Sequence, residues 1–151
     1  MKKIVYVDLD NVLVDFPSAF PRLSEEIIAE YEGRHDEVPG IFSLMDPVPG
    51  AIDAFAKLST RFDTYILSTA PWENPSAWSD KLIWVKKQLG SHAYKRLILS
   101  HHKNLNMGDY LVDDRLKNGA DKFQGELIHF GSAKFPNWDA VVEYLLPNKG
   151  I

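Results

Sequence analysis

IVYVDLDNVLVDF, residues 4–16, opens with a short apolar run and then sets Asp8 and Asp10 one residue apart. A β-branched run bounded by Lys2-Lys3 on one side and acids on the other is the pattern of a strand buried on both faces of a parallel sheet. Similar runs recur at 64–67, 97–99, 110–112 and 127–130, each stopping at polar or glycine positions. Helix-length stretches lie between them. Residues 49–58 begin with Pro49-Gly50 and place Ile52, Phe55, Ala56 and Leu58 on one side. Residues 78–89 place Leu82, Val85 and Leu89 on one side, with Gly90 as the stop. Residues 138–146 read as a last helix, capped by Asn137 and ended by Pro147. Strand and helix alternating along the chain predict an α/β fold, a doubly wound (Rossmann-like) parallel sheet of about five strands.

One segment breaks the alternation. Residues 17–46 separate the first strand from the first crossover helix and contain a helical stretch at 23–31, then a polar loop with Gly33, Pro39 and Gly40. That is too long for a plain loop, so it is expected to be a small helical cap inserted after the first strand, within a single domain spanning 1–151.

Bulk composition narrows the function classes. Lys and Arg total 17 against 21 Asp and Glu, a net charge of −4, which argues against a nucleic-acid polymer or an anionic membrane as partner. A small anion stays compatible, because a bound cation reverses the local field. The absence of cysteine removes disulfides, thiolate metal sites and cysteine nucleophiles and fits a reducing compartment. No apolar run approaches the roughly 20 residues of a membrane-spanning helix, so a cytoplasmic protein is expected. Monomer and homodimer are both open.

Open α/β sheets bind ligands at the carboxyl ends of their strands. The residues found there are Asp8, Asp10 and Asn11 after the first run, Ser68 and Thr69 after the second, Lys103 near the third, and Asp113 and Asp114 after the fourth. Converging carboxylates repel, by roughly 4 kcal/mol per pair at about 4 Å and an effective dielectric near 20. A cation must compensate. Oxygen ligands without cysteine or a convincing histidine pair favour Mg²⁺. With Lys103 and the Ser68/Thr69 hydroxyls, the set makes a receptor for a small phosphorylated substrate.

DLDNVLVDF (8–16), PVPGAIDAF (47–55), ILSTAP (66–71), WVKKQLG (84–90), LSHHKN (99–104) and LVDDR (111–115) resemble, in order and approximate spacing, the haloacid dehalogenase-like phosphatase superfamily, and within it the deoxyribonucleotidase branch. The resemblance covers most of the chain outside the inserted segment, which is shorter than the caps of that branch and has no tryptophan. It implies that Asp8 is the nucleophile and forms an aspartyl-phosphate, and that Asp10 is the general acid and then the base. It also implies that Asp8, the Asp10 carbonyl and one of Asp113/Asp114 hold Mg²⁺, Asp114 being the favoured ligand. Thr69, with Ser68, would bind a phosphoryl oxygen; Lys103 would neutralise the phosphate; Phe16 would meet the base of a (deoxy)nucleoside monophosphate.

Blander readings accompany each residue. An isolated Asp-x-Asp is commonly a turn or cap, the Ser68-Thr69 hydroxyls common loop caps, Lys103 a solvated side chain, and Asp113-Asp114 a surface turn compensated by Arg115. Only their convergence lifts them above that level. His101 and His102 are adjacent and would point oppositely, which makes joint metal ligation awkward. Trp72, Trp78, Trp84 and Trp138 read as packing residues at helical positions. Rival functions are a phosphatase of another small phosphomonoester, a receiver-like phosphoacceptor without turnover, and a dehalogenase, the last disfavoured by Asp10 and the late acidic pair.

Overall fold

The computed structural model describes residues 1–147. In chain order it forms β1 (Ile4–Val7), β2 (Val14–Asp15), α1 (Glu25–Glu30), β3 (Asp46–Pro47), α2 (Ala51–Ser59), β4 (Asp63–Ser68), α3 (Pro75–Leu89), β5 (Leu97–Leu99), β6 (Tyr110–Asp113), β7 (Glu126–His129) and α4 (Trp138–Leu145), with short 3-10 turns between several of them. Five strands make one parallel sheet in the order β5-β4-β1-β6-β7. β1 is central, so the loop after it opens where the flanking connections diverge, which is where such sheets take ligands.

The two faces of the sheet are covered unequally. Val5, Val7, Ile66, Val112 and Ile128 point to a large core that also takes Ala51, Phe55 and Leu58 of α2, Trp84, Val85 and Leu89 of α3, and Trp138, Val141 and Leu145 of α4. Tyr6, Leu67 and Leu111, of opposite parity on the same strands, face a smaller cluster closed by Ala120 and Phe123. The connections on that side are too short for helices, and 3-10 turns at Lys103–Leu105 and Ala120–Lys122 cover it instead.

The expected strands are present within a residue or so, and Asn137 caps α4 by accepting from the Ala140 amide at 3.0 Å. The phase of two helices differs from expectation. In α2 the buried side is Ala51, Ala54, Phe55 and Leu58, leaving Ile52 38% exposed. In α3 it is Ala77, Lys81, Trp84, Val85 and Leu89, leaving Leu82 44% exposed. Among the tryptophans, Trp72 lies outside any helix and is 75% exposed, correcting its reading as a packing residue. Helix α3 starts at Pro75, three residues before the expected 78.

The segment between β2 and β3 has one short helix, α1, and 3-10 turns at Phe16–Arg22, His35–Glu37 and Ile41–Leu44. Ser24 caps α1 through its side chain, accepting from the Ile27 amide at 3.2 Å. The helix is shorter than the 23–31 expected from the sequence. At the base of the segment, β2 and β3 pair antiparallel, Val14 opposite Pro47 and Asp15 opposite Asp46, so chain entry and exit lie side by side.

Candidate active site

β1 ends at Val7, and the Asp8 amide still donates to the Val112 carbonyl at 2.9 Å, so the sheet fixes the first acid. The next turn is tight: the Leu9 carbonyl accepts from the amides of Val12, Leu13 and Val14 at 3.1, 2.9 and 2.9 Å. Asn11 supplies the left-handed residue this turn needs, with φ 61°, a conformation asparagine tolerates better than most residues. Leu9, Val12 and Leu13 are buried beneath, while Asp10 stays partly open to the cleft. The Asn11 side chain accepts from the Phe16 amide at 3.3 Å and closes the loop.

Lys103 stands between two of the acids. Its Nζ lies 3.1 Å from Asp8 Oδ1 and 2.6 Å from Asp113 Oδ2, and the side chain is only 4% exposed. Burial opposes its charge, but Asp8 and Asp113 outweigh that and hold its pKa above the ordinary lysine value. Asp113 also accepts from the Arg115 amide at 3.1 Å. Asp114 turns toward Asp8, and its Oδ1 is buried without a hydrogen-bond partner among the described residues.

Carboxylate oxygens of Asp8, Asp113 and Asp114 lie within 4.8 Å of one another. Burial, and then the charges of Asp113 and Asp10, push Asp8 up to about 7 against the pull of Lys103 and Lys81. Burial and the neighbouring Asp8 push Asp114 up to about 6. One lysine is too little charge for this cluster. An orphaned buried carboxylate oxygen beside two further carboxylates, with no sulfur or imidazole in the set, fits a hard divalent cation such as Mg²⁺.

The raised values have a consequence for stability. Between about pH 4 and 7 the metal-free native state holds protons on Asp8 and Asp114 that the unfolded chain, at ordinary carboxylate values, releases. Stability from these groups therefore falls as pH rises through that window. With a chelator present, added protons and added Mg²⁺ should relieve the same repulsion. The rise in Tm on adding excess Mg²⁺ is expected to be larger at pH 8 than at pH 5.5; an equal rise at both would disprove the linkage.

The cleft has a volume of about 430 Å³ and is walled by Asp8, Asp10, Asn11, Thr69, Lys103 and Asp113 on the sheet side. Phe16 is on its wall, backed by the Phe42 and Phe20 rings at 5.8 and 6.0 Å. Thr69 also faces it, with its hydroxyl donating to the Ser100 carbonyl at 2.7 Å. Ser68 lies beneath rather than on the wall, its hydroxyl accepting from Lys81. His101 sits apart, between the rings of Trp72 and Trp78 at 6.0 and 6.1 Å, and neither it nor His102 joins the acidic cluster.

Several residues here were not singled out in the sequence. Gly33, His35 and Asp36 reach the cleft from the inserted segment, and Arg115, Lys117 and Asn118 from the loop after β6. Nothing local marks them, because loop residues carry no periodicity. Lys81 is different. It is 1% exposed and its ammonium bonds to Asp10, Ser68 and Thr69. Its position four residues after Ala77 and three before Trp84 puts a lysine on the apolar stripe, the one available warning.

Residues 2–139 match the family described as "5′ nucleotidase, deoxy (Pyrimidine), cytosolic type C protein". The chain belongs to this family. A "Putative 5′(3′)-deoxyribonucleotidase" of Vibrio phage KVP40 is 62% identical over 144 residues, covering 95% of this chain and 85% of the relative. The human "5′(3′)-deoxyribonucleotidase, cytosolic type" is 28% identical over 124 residues, 81% of this chain and 54% of that one. Among solved structures, a magnesium-bound "putative HAD-hydrolase" of Bacillus subtilis superposes with a TM-score of 0.59 at 13% identity, covering 96% of this chain and 99% of its own, and shares the fold. This family member is a phosphoric monoester hydrolase with the haloacid dehalogenase-like fold, as the strand-end motifs imply.

Proposed function

We propose that this nucleotidase hydrolyses 5′(3′)-deoxyribonucleoside monophosphates with Mg²⁺, through an aspartyl-phosphate on Asp8. The observation that carries the reading is the convergence of Asp8, Asp113 and Asp114 with Lys103 on a cleft that Phe16 also walls. The names of the phage and human relatives supply the substrate class.

An Asp8 oxygen attacks phosphorus and the ester oxygen leaves on the opposite side, taking a proton from Asp10; Asp10 then takes a proton from the water that releases phosphate from Asp8. Lys103 offsets charge on the phosphoryl oxygens, and the Thr69 hydroxyl would serve as a neutral donor by turning from the Ser100 carbonyl toward the phosphate, whereas Ser68, beneath the wall, does not reach it. Asp8, the Asp10 carbonyl and Asp114, with Asp113 alongside, would hold Mg²⁺, which when bound supplies electrostatic stabilisation of the transferring group. Phe16, on the wall of the cleft, would stack against the base, and the segment at 17–46 would act as the cap.

No helix among the described residues is long and apolar enough to cross a membrane. A cytoplasmic setting belongs to the proposal, supported by the cytosolic type of the human relative.

A screen of phosphate release across deoxynucleotides, ribonucleotides and sugar phosphates tests the reading. Deoxynucleoside monophosphates are expected to give the highest kcat/KM, with activity lost on chelation and restored by Mg²⁺. Preference for a sugar phosphate would replace the substrate, and chelator-resistant turnover would remove the metal.

A further inference from the structure

Charge is distributed unevenly around the cleft. Its cationic side chains, Lys103, Arg115 and Lys117, come from the sheet end and the loop after β6. The inserted segment contributes Gly33, His35 and Asp36 to the same wall, and no cation. Arg34, two residues before Asp36, is paired instead with Glu37 at 3.4 Å and lies over the Tyr31 ring at 4.4 Å. Asp36 is exposed, and its one side-chain-mediated hydrogen bond among the described residues is to its main-chain carbonyl. Its carboxylate is therefore uncompensated.

The 3-10 turn that bears it, His35–Glu37, is fixed from two sides. His35 Nε2 bonds to the Ile28 carbonyl at 2.9 Å, and since a carbonyl only accepts, Nε2 carries the proton. Asn74, at the start of α3 and 1% exposed, donates from Nδ2 to the Asp36 and Val38 carbonyls at 2.9 and 3.0 Å. Its Oδ1 accepts from Ser76 at 2.6 Å, so the whole amide is engaged. Asn74 lies off the cleft wall and holds the Asp36 carbonyl, so what Asp36 offers the cleft is its carboxylate. A row of rings sets where along a substrate this happens: Phe16 packs on Phe20 at 6.0 Å, and Phe20 on His35 at 5.0 Å. The turn thus adjoins the wall assigned to the base, away from Lys103.

We propose that Asp36 is a specificity-determining residue: its carboxylate, held at the cap end of the cleft, admits a substrate whose remote end is uncharged or cationic and turns away one with a second anionic group there. The inference deepens the nucleotidase reading above and rests on it. Like charges facing each other across a site are a general means of rejecting a wrong ligand. A neutral nucleobase carries N–H groups that a carboxylate can accept from, and meets no such penalty. The class admitted is the monophosphate of a nucleoside with a neutral base; the class refused is the phosphomonoester with a further phosphate or carboxylate at that end.

The test uses three substrates with the same scissile ester: deoxyuridine monophosphate, its analogue with a carboxylate on the base, and its analogue with an aminomethyl group at the same ring position. Their kcat/KM values are compared in wild type, Asp36→Asn and Asp36→Lys, with saturating Mg²⁺ at low salt. Rates for each variant come from one preparation, so their ratios do not depend on the folded fraction. Asp36→Asn is expected to raise the carboxylate-to-aminomethyl ratio about 5-fold or more, and Asp36→Lys further; added salt should shrink the discrimination of wild type. A merely structural role would lower all three rates together. If Asp36→Lys does not accumulate as folded protein, the near-isosteric asparagine variant carries the same comparison. A smaller change of the ratio than this would overturn the role of Asp36 while leaving the nucleotidase intact; a wild-type protein that turns over none of the three would instead overturn the nucleotidase reading.

Discussion

Asp8→Asn is expected to lower phosphate release from deoxynucleoside monophosphates by about 10⁴-fold or more while leaving the fold intact. The asparagine occupies the same volume and keeps the amide bond to the Val112 carbonyl, so the sheet end is undisturbed. Lys103 loses one partner but keeps Asp113 at 2.6 Å. Because burial and neighbouring acids already push Asp8 up to about 7, a neutral replacement removes repulsion at pH 8. The Tm of the metal-free variant should therefore be no lower than that of wild type, and it should gain less from Mg²⁺. Phosphate release and thermal unfolding check the two halves separately. A variant retaining wild-type turnover would exclude Asp8 as the nucleophile.

Lys103→Met should be costly twice over. In wild type the ammonium is enclosed with Asp8 and Asp113, and removing one partner of a buried ion pair typically costs about 3–5 kcal/mol, because the others remain as uncompensated charge. For a chain of this size that is a fall in Tm of about 6–20 °C. Turnover should drop by about 10²–10³-fold as the charge facing the phosphoryl group disappears. The double variant Asp8→Asn, Lys103→Met should be more stable than the sum of the single effects, since part of the cost belongs to their pairing. Additive effects on Tm would mean that the two side chains do not interact in solution.

The strands were legible because burial on both faces demands unbroken apolar runs, and 4–7, 97–99 and 110–112 have no other reading. The acidic and hydroxyl residues were legible because strand ends must converge in a parallel sheet. The helix phases were not. In α3, Leu82 is as apolar as its neighbours, and choosing it over Lys81 for the inner side follows hydrophobicity alone; tertiary partners at Asp10, Ser68 and Thr69 reverse that choice. The segment between β2 and β3 was legible as an insertion but not in its interior, because 3-10 turns are too short to print a period on the sequence. His35 and Asp36 reach the cleft from such a turn, and only the fold brings them there.

The indole nitrogen of Trp138, at the start of α4, donates to the Val12 carbonyl at 2.7 Å across 126 positions of chain. The turn that aims Asp10 is thus buttressed by a helix far away in the chain. Loosening α4 would therefore disturb the first catalytic loop without altering any residue that walls the cleft.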